Sequence, residues 1–412
     1  MGEYKIIVRD RHLSPIGIVD DYTEFNAILK HCDTGQWTLK MNAGLPHTKL
    51  FQPGHGIIVY REGVDRPIMS GQLQGIQKYW TVDTDSGDGA FFFTGSDDNS
   101  IVQSHIAYPD TFVPLDKQTR TADAQVNLRA SHALQAVINR NCGTQSLDDR
   151  RPYGYVTPTY DGEWKYDEYG PVTPYSLRFD NLRDGVKAIA EAGGIGWRNL
   201  YDPDSRTIRL ETYQVRDRGD SVRFSPELGN LKEVVYSMTA PKVTRAIVAA
   251  QGEGRERFIK AYVDKDAEAY WGIKAETFVD ARDVPLKKGQ SGEPALAGET
   301  DAGTTVQSAM AVLDQRGREA LDQGQAAGNL QLYPIDTLQC TFGRDWWLGD
   351  TVACVVDGTV HKDIVRQVTI SDTADGSTIT PNIGNQGTDN PTNVFGDIKA
   401  LWRRVNQLST RM

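Results

Sequence analysis

The side chains able to carry chemistry are scattered along this chain. Seven histidines stand at His12, His31, His47, His55, His105, His132 and His361. No two have the i,i+4 spacing that would aim two imidazoles from one helix face at a metal. The four cysteines, Cys32, Cys142, Cys340 and Cys354, form no CxxC pair and read as reduced thiols in cores. Cys340 and Cys354 fall on runs expected to be neighbouring strands, but spacing alone assigns no disulfide. His31 adjoins Cys32, yet consecutive residues of a strand point to opposite faces, so a thiol–imidazole nucleophile is not expected.

Asp33-Thr34-Gly35 has the wording of the aspartic-protease triplet, whose chemistry needs two carboxylates sharing one proton. The wording Asp-Thr-Gly does not recur, and the segment reads as a turn ahead of Trp37-Thr38-Leu39. HExxH, GxSxG, a Walker loop and a GxGxxG after a strand are all missing, so zincin, hydrolase and nucleotide readings lack their minimal parts. With 55 acidic residues, carboxylate pairs are plentiful and mean nothing for sugar hydrolysis without geometry. No catalytic residue, cofactor-binding residue or metal ligand is assigned, and the chain is expected to have no enzymatic activity.

One aromatic loop has a binding pattern. Tyr153, Tyr160, Trp164 and Tyr166 supply flat faces that stack on sugars, or that fill an interface. Packing or interface use is the expectation, and glycan contact the alternative. Net charge is −10, so affinity for phosphate backbones through Lys and Arg is not expected.

The elements positioning these residues are mostly strands. Thirty-nine Gly, 18 Pro and 37 aromatic residues (17 Tyr, 12 Phe, 8 Trp) in 412 favour strands and turns over long helices. Alternating runs at Tyr4 to Val8, Trp37 to Met41, Ile57 to Tyr60, Ile68 to Gln77 and Ala90 to Thr94 predict a small antiparallel β-barrel over 1–117. Helical spacing over Ala124 to Asn139, with Asp123 as N-cap, and over Asn181 to Ala192, ended by Gly193-Gly194, predicts an α+β domain over 118–231.

A second barrel is expected from 232–263 and 331–388. It contains Phe342-Gly343-Arg344-Asp345-Trp346-Trp347-Leu348-Gly349-Asp350 and the alternating Asp363 to Ile370. It is interrupted by an insertion, 264–330, with a helix over about Thr304 to Ala327. The fold class is therefore β-rich α+β and multidomain: two small barrels with α+β parts between and outside.

In 389–412, Val394, Ile398, Leu401, Val405 and Leu408 are spaced four, three, four and three, the a/d repeat of a coiled coil. Two heptads are too short for an isolated helix, so the segment docks on its own chain or self-associates. No 18-residue apolar run or signal-peptide core occurs, so synthesis in a cytoplasm without the usual export is expected.

Several segments, in order, resemble the minor tail or tail-hub (baseplate hub-like) proteins of long-tailed, siphovirus-type bacteriophages. They are Val19-Asp20-Asp21-Tyr22 with Phe25 and Gly35 to Leu39, then Gly54 to Gly63 with Met69-Ser70-Gly71. Thr94-Gly95-Ser96-Asp97-Asp98-Asn99 with Ala107 to Asp110, Ala136 to Asn141 with Arg150-Arg151, and Phe342 to Val352 complete the set. The resemblance implies tail-tube-like barrels that form a homotrimeric ring through which the genome passes. It implies a place in the virion at the distal tail tip, as hub or adaptor. The implied partners are the distal tail protein, the tape measure protein, tip or fibre proteins and, through these, the host cell surface. A tail-associated peptidoglycan hydrolase or peptidase, and a carbohydrate-binding receptor module, are the competing readings.

Overall fold

The computed structural model describes residues 3–81, 89–158, 166–298, 304–325, 327–334, 340–356 and 358–384. The chain opens with seven strands: β1 (Tyr4–Arg9), β2 (Pro15–Val19), β3 (Glu24–Lys30), β4 (Gln36–Asn42), β5 (Gly56–Arg61), β6 (Met69–Tyr79) and β7 (Ala90–Asp97). Their alternation is that of half-buried strands. Phe25, Ala27 and Leu29 of β3 and Trp37, Leu39 and Met41 of β4 turn to one core.

A mixed layer follows. It comprises α1 (Ser100–Gln103), β8 (Asp123–Gln125), α2 (Ala130–Cys142), β9 (Tyr155–Val156), β10 (Tyr175–Leu177), α3 (Leu182–Gly193), β11 (Ile195–Asp202) and β12 (Thr207–Gln214). Helix α3 starts where Asn181 accepts the Arg183 N–H and stops at Gly194, whose φ of 59° suits a residue without a Cβ. The start expected for α2 is corrected: Asp123 is no N-cap but lies on β8, paired with β10, and its carboxylate takes Arg140 Nη2 at 3.1 Å. The polar stretch before residue 130 finds its backbone partners in a sheet ladder instead of a first helical turn.

The chain then forms β13 (Arg223–Phe224) and β14 (Leu231–Thr239), and leaves through an insertion of β15 (Arg245–Ala249), β16 (Ile259–Val263), α4 (Lys265–Trp271), β17 (Glu276–Asp280), β18 (Leu286–Lys288), β19 (Pro294–Leu296) and α5 (Val306–Gly324). It returns with β20 (Ala327–Pro334), β21 (Thr351–Val356), β22 (Thr359–Thr373) and β23 (Gly376–Ile383). Strands β14 and β20 flank the insertion and pair with each other, Leu231 opposite Pro334 and Thr239 opposite Ala327. The runs 243–251 and 258–263, expected in the second barrel, belong to the insertion. Strands β15, β16 and β17 make a separate three-stranded sheet whose Val248 packs with Ala309, Val312 and Leu313 of α5.

Two separate barrels are not what the ladders show. Seven N-terminal and six C-terminal strands share one 13-stranded sheet, running β14-β20-β23-β22-β3-β4-β7-β6-β5-β1-β2, with β21 joined to β22 and β13 to β21. Among the described residues this path does not close on itself. The join is β22 against β3, from Gln367 opposite Lys30 to Thr373 opposite Glu24. One core runs under it, containing Phe25, Trp37 and Phe93 from the first half and Phe224, Phe342 and Trp346 from the second. Truncating one such ring to Ala costs about 3–5 kcal/mol. The sequence pattern shows which strands have an apolar face, but not that two edges 340 residues apart will meet.

Candidate functional site

Sheet and mixed layer are held by a polar joint built from the Asp97-Asp98-Asn99 motif at the end of β7. Asp98 accepts Arg9 Nη2 from β1 at 2.6 Å and Ser70 Oγ from β6 at 2.5 Å. The Arg9 and Asp98 side chains are each 3% exposed, so this ion pair is sealed from solvent. From the other layer, the Tyr201 N–H donates to Ser70 Oγ at 2.9 Å and the Asn199 N–H to Asn99 Oδ1 at 2.7 Å. Asn199 Nδ2 donates to the Asp98 carbonyl at 3.2 Å, and Asn99 Nδ2 to the Asp33 carbonyl at 2.8 Å.

Asp97, beside this pair, is buried. Burial pushes its carboxyl up to about 8, with the neighbouring Asp98 charge adding to the shift. At neutral pH it is therefore held protonated, beside the Arg9–Asp98 ion pair. Such a network is costly when broken and fixes how the two layers meet.

A second joint is the Leu348-Gly349-Asp350 turn. Asp350 accepts Arg216 Nε at 2.9 Å and Nη2 at 3.1 Å, and its Oδ2 accepts the Trp347 N–H at 2.9 Å. The ring of Phe342 stacks on Trp347 with centroids 5.0 Å apart, and Arg66 and Arg198 lie 4.9 and 5.3 Å from the Trp347 ring. The insertion is tied on by Arg316 of α5, which donates to the Ser176 carbonyl at 2.8 Å and to Asp283 Oδ2 at 2.9 Å.

Side chains of catalytic type meet at His31 and Cys32. The expectation that His31 and Cys32 face apart is corrected: Cys32 lies past the end of β3 with φ 52°, and its Sγ comes within 3.4 Å of His31 Nε2. Burial pushes the thiol up to about 12 and the imidazole down to about 3, so both are neutral, the opposite of an activated thiolate. Asp33 is held by Arg183 and Lys187 at 3.2 and 3.0 Å. A cleft of about 590 Å³ opens between residues 120–126, 283–285 and the first turns of α5. Its acids are already bound by arginines, Asp123 by Arg140 and Asp283 by Arg316. All four cysteines are free and buried.

The aromatic candidates do not form one platform. Tyr153 is 65% exposed and stands edge-on to His12, whereas Tyr166 stacks on His132 and accepts a hydrogen bond from Asn139 Nδ2 at 3.1 Å. Tyr160 and Trp164 lie outside the described residues, as do Val394, Ile398, Leu401, Val405 and Leu408.

The fold is that of phage tail proteins of known structure. The 43 kDa tail protein of prophage MuSo2 from Shewanella oneidensis superposes with a TM-score of 0.51 at 11% identity, over 92% of this chain and 98% of that one. The tail protein from Neisseria meningitidis MC58 gives 0.51 at 10% identity, over 94% and 98%. No curated protein matches the sequence. Residues 5–385 match the family described as Siphovirus ReqiPepy6 Gp37-like protein, and the chain belongs to that family.

Proposed function

We propose that this chain is a structural protein of a siphovirus tail, the hub or adaptor joining the distal end of the tail tube to the host-contacting tip. The observation that carries the reading is the single 13-stranded sheet assembled from both ends of the chain over one core. Family membership over residues 5–385 and a fold shared with two phage tail proteins support it. In this reading the two halves of the sheet stand in the places of two tail-tube subunits, and three copies close a six-part ring around a lumen for the genome. A closed ring also pairs sheet edges that are otherwise a liability.

The mixed layer and the insertion stand outside the ring. Distal tail, tape measure and tip or fibre proteins are the neighbours, and the heptad positions Val394, Ile398, Leu401, Val405 and Leu408 tie the trimer together. The chain performs no reaction of its own, in keeping with the neutral His31–Cys32 pair.

Light scattering on the purified chain tests the reading. A particle of three times 45.7 kDa, weakened by truncation after Thr388, is expected. A monomer that stays monomeric at tens of micromolar, and on mixing with the distal tail protein, would overturn the ring.

A further inference from the structure

We infer that Asp20, Asp21 and His47 form a binding site for one divalent transition-metal ion of the zinc type. Asp20 and Asp21 are neighbours in sequence, but His47 lies 26 residues beyond Asp21, in none of the spacings that betray a metal site, and the fold brings it to them. Among the described residues they are the one group of three such side chains whose ligand atoms all lie within 4.8 Å of one another.

The placement has a clear local origin. Asp20 and Asp21 occupy the turn from β2 to β3, and His47 lies on the 3-10 turn Pro46–Leu50, whose first position is a proline with its backbone angle preset. Leu50 of that turn packs on β2 over Gly17, where a Cβ would come within 2.6 Å of Leu50 Cδ1.

His47 Nδ1 stands 2.9 Å from Asp21 Oδ2. Two ligands on one zinc-sized ion, each bonded at about 2.0–2.2 Å, are separated by about 3 Å or slightly more, so this pair already has the spacing of a shared ion. A simple ion pair accounts for one oxygen of Asp21 only. The other, Oδ1, is buried and has no hydrogen-bond partner among the described residues. A buried carboxylate oxygen without a partner is costly, and a cation shared with Asp20 answers it. Imidazole with carboxylates selects zinc-like ions over calcium or magnesium, which take oxygen ligands alone. The His47 and Asp21 side chains are 38% and 26% exposed, so an ion enters from solvent. Three protein ligands also leave coordination positions for water or for a donor from a neighbouring molecule. β2 is the last strand of the long sheet, which puts those positions at its edge.

The test uses the full chain prepared without a polyhistidine tag and stripped with a chelator. Zn²⁺ is titrated by calorimetry, and Co²⁺ is followed by its visible absorption. One Zn²⁺ per chain is expected, with affinity weakened by about tenfold or more in His47→Ala and in Asp20→Asn. Asp20 is exposed, so its variant keeps the test decisive if His47→Ala fails to fold. No saturable binding by the unaltered chain, unchanged affinity in the variants, or displacement of Zn²⁺ by equimolar Ca²⁺ would each overturn the assignment.

Discussion

Replacing Asp98 by Ala strips the counter-charge from Arg9, whose side chain is 3% exposed and whose Nη1 already lacks a partner. The Tyr201 ring, 5.9 Å from the guanidinium, supplies no counter-charge. Orphaning one member of a buried pair costs about 3–5 kcal/mol. The lost acceptor of Ser70 Oγ adds about 1 kcal/mol. The pair itself is worth far less, because forming it required desolvating both charges. Arg9→Met with Asp98→Leu in one chain is therefore expected to recover most of the loss. Guanidinium unfolding followed by tryptophan fluorescence reads both, since Trp37 and Trp197 lie in the two cores that the joint separates. A cost for Asp98→Ala below about 1 kcal/mol, the value of an exposed pair, would refute the sealed-joint reasoning. So would a double variant no more stable than the single one.

Asp97 offers a pH signature: its folded pKa, up to about 8, lies above the unfolded value, so the native state binds the extra proton and stability falls as pH rises from about 4 to 8. Asp97→Asn is expected to flatten that arm of the pH profile of the denaturation midpoint, and an unchanged slope would show another group to be responsible. Gly95→Ala places a Cβ 2.1 Å from the Gln72 carbonyl and 2.6 Å from the Trp37 ring, and is expected to lower stability by about 1–3 kcal/mol in the same unfolding assay. The four thiols, 0–5% exposed and with their pKa values raised by burial, should react with a disulfide reagent at pH 8 only on unfolding. Rapid labelling of even one thiol in the native chain would contradict the burial described.

The strands were legible because apolar alternation is a local property, and Phe25, Leu39 and Ile57 point to the core as their spacing requires. Helix α3 was legible from Asn181 and the Gly193-Gly194 stop for the same reason. What stayed hidden was pairing. Nothing near residue 30 announces that its partner is residue 367, because register between distant strands is settled by the whole core. Arg245–Ala249 has the alternation of any half-buried strand, and only helix α5 packing on Val248 decides which sheet receives it. The Asp97-Asp98-Asn99 motif stood out as a motif, but its role in joining two layers depends on Asn199 and Tyr201, a hundred residues away. The meeting of His31 with Cys32 was misjudged because a left-handed residue breaks the alternation that strand logic assumes.

The ladder between β3 and β22 also sets a timetable for synthesis. Strand β3 leaves the ribosome within the first 30 residues, and its partner is complete only at Thr373. At about 5–20 residues per second, roughly 20–70 s separate the two events. For that interval the newborn chain carries a strand edge whose eventual cover has not yet been translated, and such edges recruit whatever strand is near. On a polysome the nearest strands belong to sister chains. Yield during infection should therefore depend on chaperone supply and on the pace of translation across the insertion, through which the ribosome must pass before the sheet is sealed.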